Sequence, residues 1–353
     1  MKRLSTKQKT RNRRISMQRW RKRLARDGRA RITRSQIRKQ PLRISAPKIL
    51  SFRENFVETI AFLENFRERT VGKKAGRSVY IDLVPLEEIS VPVAIVLAAE
   101  FHRWSIVRRI KLRIRDHQHW APSVRTLFSD LGVFDLLGIK GVREEVNSKH
   151  VTLTKLESGL NFDGQKIAQL QARFRGVLAG FEYRPAVYDG LTEAAENAIS
   201  HGYPSDYTSP YTSAGKRWWG ASCIDLETRR LRFFIFDQGA GIPHTLPSVG
   251  WYEAVRSMIS SFGVLSNDTL LLKAALEVAR TRTGHSHRGL GLNRMVEVLE
   301  GSETGHIRII SGKGEIVVHA DRRMDENPLE AGIGGTLIEW NLPTDTFTDL
   351  ENT

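Results

Sequence analysis

The period of the apolar positions changes several times along this 353-residue chain, and each change marks an element. Near the start, Met17, Trp20 and Leu24 recur at i, i+3 and i+7, a helical spacing. Asp27-Gly28 ends that helix. A second short helix over residues 33–39 stops before Pro41, because the residue ahead of proline avoids the helical region. Phe52, Phe56, Ile60, Phe62, Leu63 and Phe66 then mark an amphipathic helix. Residues 78–83 read as a strand and 91–104 as a helix. Residues 109–114 alternate Ile110, Leu112 and Ile114 with basic side chains, as a half-exposed strand does. Residues 123–137 are helical, with a break at Gly132, and the polar stretch 138–162 holds one strand at 151–153.

The second half begins with a helix over residues 165–178. Pro185 suits a first helical turn, where its missing N–H is not needed. Val187, Leu191, Ala194 and Ala198 carry that helix toward a core until Gly202 closes it. Residues 231–237 form a buried strand that stops at Asp237 and breaks into Gly239 and Gly241. A helix over 268–279 follows, then one opened by Gly289-Leu290-Gly291-Leu292 and running to Leu299. Residues 306–310, 315–319 and 336–342 alternate like antiparallel strands. The expected class is α/β, a small β-α-β-α layer ahead of a second α/β sandwich with a mixed, largely antiparallel sheet. The chain has no internal repeat.

Composition narrows the setting. No apolar run approaches the ~20 residues that cross a bilayer; the longest, 91–99, stops at Glu100. The basic start has no apolar segment behind it, so it does not read as a secretory signal. The one cysteine, Cys223, lies beside Ala221, Ile224 and Leu226 and reads as a buried strand thiol. It excludes an internal disulfide framework and fits a reducing, cytoplasmic compartment. The net charge of +16 is unevenly spread: residues 1–48 hold 19 Lys or Arg and one acid, Asp27. The remainder carries 36 bases against 38 acids, so a near-neutral body bears a cationic arm.

Four short motifs carry the candidate chemistry. In Glu193-Ala-Ala-Glu-Asn197 a carboxylate and a carboxamide four residues apart share one helical stripe. A carboxylate can take a proton from water and a carboxamide oxygen can bind Mg²⁺, though the same pair also suits an ordinary helix surface. Glu196 is off the stripe and reads as structural. Asp237-Gln-Gly239-Ala-Gly241 ends a strand with a carboxylate and two glycines that let backbone approach closely; a plain glycine turn looks similar. Arg288-Gly289-Leu290-Gly291-Leu292 opens a helix whose free amides can cradle phosphate. Gly334-Gly335-Thr336 leads into the last strand, where Thr336 suits either a core or a polar contact. His285 and His287 have no Cys or carboxylate beside them, which speaks against zinc.

In this order the four motifs resemble the ATP-binding domain shared by DNA gyrase, heat-shock chaperones, mismatch-repair proteins and histidine kinases, the Bergerat fold. The resemblance implies Glu193 as general base, Asn197 as Mg²⁺ ligand and Asp237 as acceptor for the adenine amino group. It implies Gly239, Gly241, Arg288, Gly289, Leu290 and Gly291 around the nucleotide, with Thr336 bonded to the adenine-binding Asp or its water. It makes residues 243–287 a lid over the phosphates, and ATP and Mg²⁺ the cofactors. None of the ten histidines precedes Glu or Asp, so the phosphoacceptor site of two-component kinases is missing.

Residues 49–137 are similar, over about 60 positions, to the STAS fold of anti-sigma-factor antagonists. The likeness rests on Ile81-Asp82-Leu83, Ile89-Ser90 and Leu127-Phe128-Ser129-Asp130-Leu131-Gly132. Val91 and Pro92 fall where the acceptor serine would lie, so the segment reads as a docking module, with Ser90 as a helix N-cap. The expected plan is an arm over 1–48, a STAS-like domain over 49–137, a connector over 138–180, an ATP-binding domain over 181–345 and a tail over 346–353. In the arm, Arg13, Arg14, Arg19, Trp20, Arg21, Lys22 and Arg23 offer phosphate pairing and base stacking, which points to nucleic acid. An acidic protein and an anionic membrane are the other two partners such a charge could meet, the membrane disfavoured by the short apolar face. The combined reading is an ATP-dependent conformational switch, with a protein partner for the STAS-like segment and a homodimer as further expectations. Such a switch suits a bacterial defence or stress-response assembly. The rival readings are a serine/threonine protein kinase resembling anti-sigma factors and a non-hydrolysing ATP-sensing scaffold.

Overall fold

Residues 42–70, 79–108, 116–139, 151–207, 215–261, 267–281 and 291–347 are described by the structure, a computed structural model. The chain divides into two units, Met1–Leu42 with Arg77–Val79, and Arg43–Gly76 with Tyr80–Thr353. Nearly all of the described residues belong to the second unit. The arm helices, the arm residues Arg13, Arg14, Arg19, Trp20, Arg21, Lys22 and Arg23, the strand expected at 109–114, and residues 348–353 of the tail lie outside the described residues.

Short strands and apolar helices make up the first half. They run β1 (Leu42–Ser45), β2 (Ile49–Leu50), α1 (Phe56–Thr70), β3 (Val79–Asp82), β4 (Glu88–Ile89), α2 (Val91–Arg108), α3 (Pro122–Asp130) and α4 (Val133–Leu137). Gly132, with φ +73°, breaks α3 from α4 as expected. Val93 through Ala99 and Phe101 are fully buried on α2, so the first turns of this helix, ahead of Glu100, are apolar all round because protein surrounds them. Phe66 of α1 meets Phe101 edge-on at 5.7 Å, and Phe128 of α3 continues the aromatic stack.

The second half runs β5 (Val151–Leu153), β6 (Glu157–Gly159), α5 (Gly164–Ala172), α6 (Pro185–Ser200), β7 (Trp218–Asp225) and β8 (Arg230–Asp237). It continues with α7 (Ile242–Thr245), α8 (Tyr252–Ser261), α9 (Asp268–Thr281), α10 (Gly291–Glu297), β9 (His306–Ser311), β10 (Gly314–His319), β11 (Met324–Pro328) and β12 (Thr336–Pro343). The helix expected to reach Leu178 ends at Ala172 and tightens into a 3₁₀ turn, Arg173–Gly176. Cys223 is fully buried on β7, whereas Leu226 sits past the strand's end and is exposed.

Eight strands form one sheet in the order β11-β10-β9-β12-β8-β7-β5, with β6 also pairing β7. Every pairing in it is antiparallel. Alternation along each strand gives it two different faces. On one face Phe233 and Ile235 of β8, Ile307 and Ile309 of β9, and Ile338 and Trp340 of β12 pack under α5, α6, α9 and α10. Trp340 Nε1 donates to the Met295 carbonyl at 2.8 Å, so this indole keeps its polar atom satisfied in the core. On the other face Trp219, Phe234 and Phe236 are buried, and α2 lies against β7 and β8. That face also buries Arg308, whose Nε reaches Glu315 at 2.6 Å and whose Nη1 lies 3.7 Å from Glu339.

Candidate functional site

Asp237 is the last residue of β8, on the same face as Phe233 and Ile235, with β12 and β7 on either side. Its cross-strand partners are Thr336 on β12 and Trp218 on β7. The strand ends here because the next residues turn: the Gly239 amide folds back and donates to Asp237 Oδ1 at 2.7 Å. The backbone N–H and hydroxyl of Thr336 also favour the carboxylate, yet burial outweighs all three and pushes the Asp237 carboxyl up to about 7. Thr336 Oγ1 lies 2.8 Å from Ser311 Oγ, and Ser311 accepts from the Ile242 amide at 2.7 Å. Three strand ends and the start of α7 therefore close around one buried acid.

The glycines are explained by approach distance. A Cβ at Gly239 would fall 2.0 Å from the Gly202 carbonyl oxygen, and one at Gly335 1.8 Å from that of Asp237. Both obstacles are backbone, so no side chain fits either position.

α6 and α10 make the opposite side. Glu193 and Asn197 lie one turn apart on α6 and are half-buried, while Glu196 is exposed, as its off-stripe position requires. A Cβ at Gly291, the first residue of α10, would come 2.7 Å from Glu193 Oε2 and 3.2 Å from Asn197 Nδ2. One turn into α10, Arg294 Nη1 donates to Glu193 Oε1. The carboxylate is thus held by a guanidinium, with its second oxygen toward Gly291.

The two sides meet through the end of α6. The Gly202 amide donates to the Asn197 carbonyl at 3.1 Å, and the Ala240 amide to the Gly202 carbonyl at 2.7 Å. Glu193, Asn197, Asp237, Gly239, Gly241, Gly291 and Thr336, spread over 144 positions of sequence, fall within this one chain of contacts. Arg288, Gly289 and Leu290, with His285 and His287, lie outside the described residues. Ser311, Tyr203 and Arg294 were missed. Tyr203, whose hydroxyl accepts from the Gln238 amide at 3.0 Å and donates to the Arg217 carbonyl at 2.8 Å, is flagged in sequence only by following Gly202.

The residues present fit an amino-bearing ring at Asp237, since a buried carboxyl with fixed orientation is a selective acceptor. For Mg²⁺ the expected donor is the Asn197 carboxamide beside the Glu193 carboxylate, and no group of three or more His, Cys, Asp or Glu stands ready for a metal among the described residues. One carboxamide oxygen, that of Asn197, suits Mg²⁺ when substrate phosphates and water complete its shell. No helix among the described residues is long and apolar enough to cross a membrane. No protein-family model and no curated protein matches this chain.

Proposed function

We propose that this chain binds ATP with Mg²⁺ between the Asp237 turn and the α6–α10 pair, as a nucleotide-dependent switch of the Bergerat type. The observation that carries the reading is the convergence of four sequence-distant motifs on one buried carboxyl, Asp237, with Glu193 and Asn197 linked to it through Gly202. In this reading Asp237 accepts the adenine amino group, and Thr336 and the Gly239 amide fix the carboxyl's orientation. Asn197 and the substrate phosphates hold Mg²⁺, and Glu193 takes the proton of an attacking water. Backbone amides of the Arg288–Gly291 segment cradle the phosphates. The arm over residues 1–48 engages nucleic acid by charge and shape, because it carries no base-reading motif.

One observation favours a second reading. Arg294 occupies Glu193 Oε1, which would keep a general base from its water. A sensor that binds ATP without hydrolysing it accommodates that pairing. Phosphate release from Mg·ATP separates the two. As a base, Glu193 should lose roughly a hundredfold or more of the rate in Glu193→Ala, while Arg294→Ala raises it. No phosphate release from wild type that still binds ATP favours the sensor.

A further inference from the structure

Outside the site lies a cluster of four buried polar side chains: Arg67 on α1, Glu100 and Arg103 on α2, and Gln238 in the turn after β8. Glu100 is completely buried and takes a bond from each of the others. Its Oε1 accepts from Arg67 Nε at 2.7 Å and from Gln238 Nε2 at 3.1 Å, and its Oε2 accepts from Arg103 Nη2. Arg67 continues outward, its Nη2 donating to the Ile333 carbonyl at 2.7 Å. The backbone at Gly334 is seated on the same guanidinium, since a Cβ there would lie 2.4 Å from Arg67 Nη1.

Burying an ion triad is expensive, and an apolar replacement of equal volume is often as stable. What an apolar core would not supply is fixed direction. The bonds of Glu100 lead to both sides of the candidate site, to the Asp237 turn through Gln238 and to Ile333-Gly334 through Arg67. Gln238 stands between Asp237 and Gly239, and Ile333-Gly334 leads directly to Gly335-Thr336. We infer that Glu100 is a positioning residue, which couples helices α1 and α2 to the Asp237 turn and the Thr336 strand end. The inference rests on the nucleotide reading for its ligand, not for its geometry. By linkage, a ligand that orders the pocket walls orders α1 and α2, and a partner that shifts those helices changes nucleotide affinity by the same factor. The apolar helices of the first half thereby become the route by which binding is reported.

Glu100→Ala would strand two guanidinium groups and is expected to unfold the protein. Gln238→Met instead cuts only the link to the Asp237 turn and keeps the volume, leaving the Arg67–Ile333 bond in place. The test is amide hydrogen exchange on the full chain, with and without saturating Mg·ATP, in wild type and Gln238→Met. In wild type, Mg·ATP should slow exchange at residues 237–241 and, roughly tenfold, in the last turn of α1, one link beyond Glu100. In Gln238→Met the slowing at 237–241 should persist and that in α1 should weaken to what the Arg67–Ile333 bond alone transmits. Equal slowing of α1 in both proteins overturns the inference. If wild type shows no slowing at 237–241, the nucleotide reading is what fails. The ligand-free pair then decides: roughly tenfold faster exchange of α1 in Gln238→Met supports the relay, and unchanged exchange overturns it.

Discussion

Asp237 concentrates the chemistry of the molecule in one side chain. Burial raises its carboxyl to about 7, although the Gly239 amide and Thr336 pull it down. An acid raised above its unfolded value contributes most stability below the unfolded range near 4, and loses that contribution as pH rises through about 7. Ligand-free wild type should therefore lose melting temperature from pH 4 to 7 more steeply than Asp237→Asn, as read by calorimetric melting. Identical slopes would show that this carboxyl does not titrate in that window. A purine amino group bonds better to the ionised form. Nucleotide affinity should accordingly rise from pH 6 to pH 8, which a titration series in matched buffers measures. Asp237 was legible in sequence because a run of apolar residues ends on it and glycines follow. Arg294 was not, because an arginine one turn into a helix has many surface uses and only the fold brings it to Glu193.

At the scale of elements, periodicity revealed what is covered by one neighbour and missed what is not. β9, β10 and β12 read as alternating strands and β8 as a continuous buried one, and their expected bounds agree with the observed ones to within a residue or so. β11 escaped because its Met324–Pro328 stretch is polar and nearly all exposed, an edge strand held by pairing alone. α8 escaped because it falls in the interval read as a lid, and β6 because three residues carry no period. The glycine turns allow a sharper test. Gly239→Ala sets a methyl against the Gly202 carbonyl oxygen, where only backbone can move. It should cost about 3 kcal/mol or more and lower the melting temperature by roughly 5 °C or more. A melt within a degree of wild type would mean that the α6 end and the Asp237 turn are not packed together as described.

For the whole molecule the instructive feature is what covers each sheet face. Sequence patterning separated residues 49–137 from 181–345, but α2 lies against β7 and β8 inside one unit. The continuous apolar run of α2 was visible; that it serves the same sheet was not, because which face a buried helix meets is a tertiary fact. Charge asymmetry, by contrast, is wholly a property of sequence. If the arm meets even six phosphates, its nucleic-acid affinity should fall roughly a thousandfold between 50 and 200 mM salt. Deleting residues 1–48 should abolish gel-shift retention while leaving nucleotide affinity intact; unchanged retention would move the contact into the body.

The central claim is that the site at Asp237 takes a purine nucleotide, and titration calorimetry of the full chain with Mg·ATP tests it most directly. Wild type should give a saturable heat at one nucleotide per chain, weakened about tenfold or more in Asp237→Asn, which loses a bond to a charged group. Wild type that melts cooperatively and yet releases no heat with Mg·ATP would contradict the account.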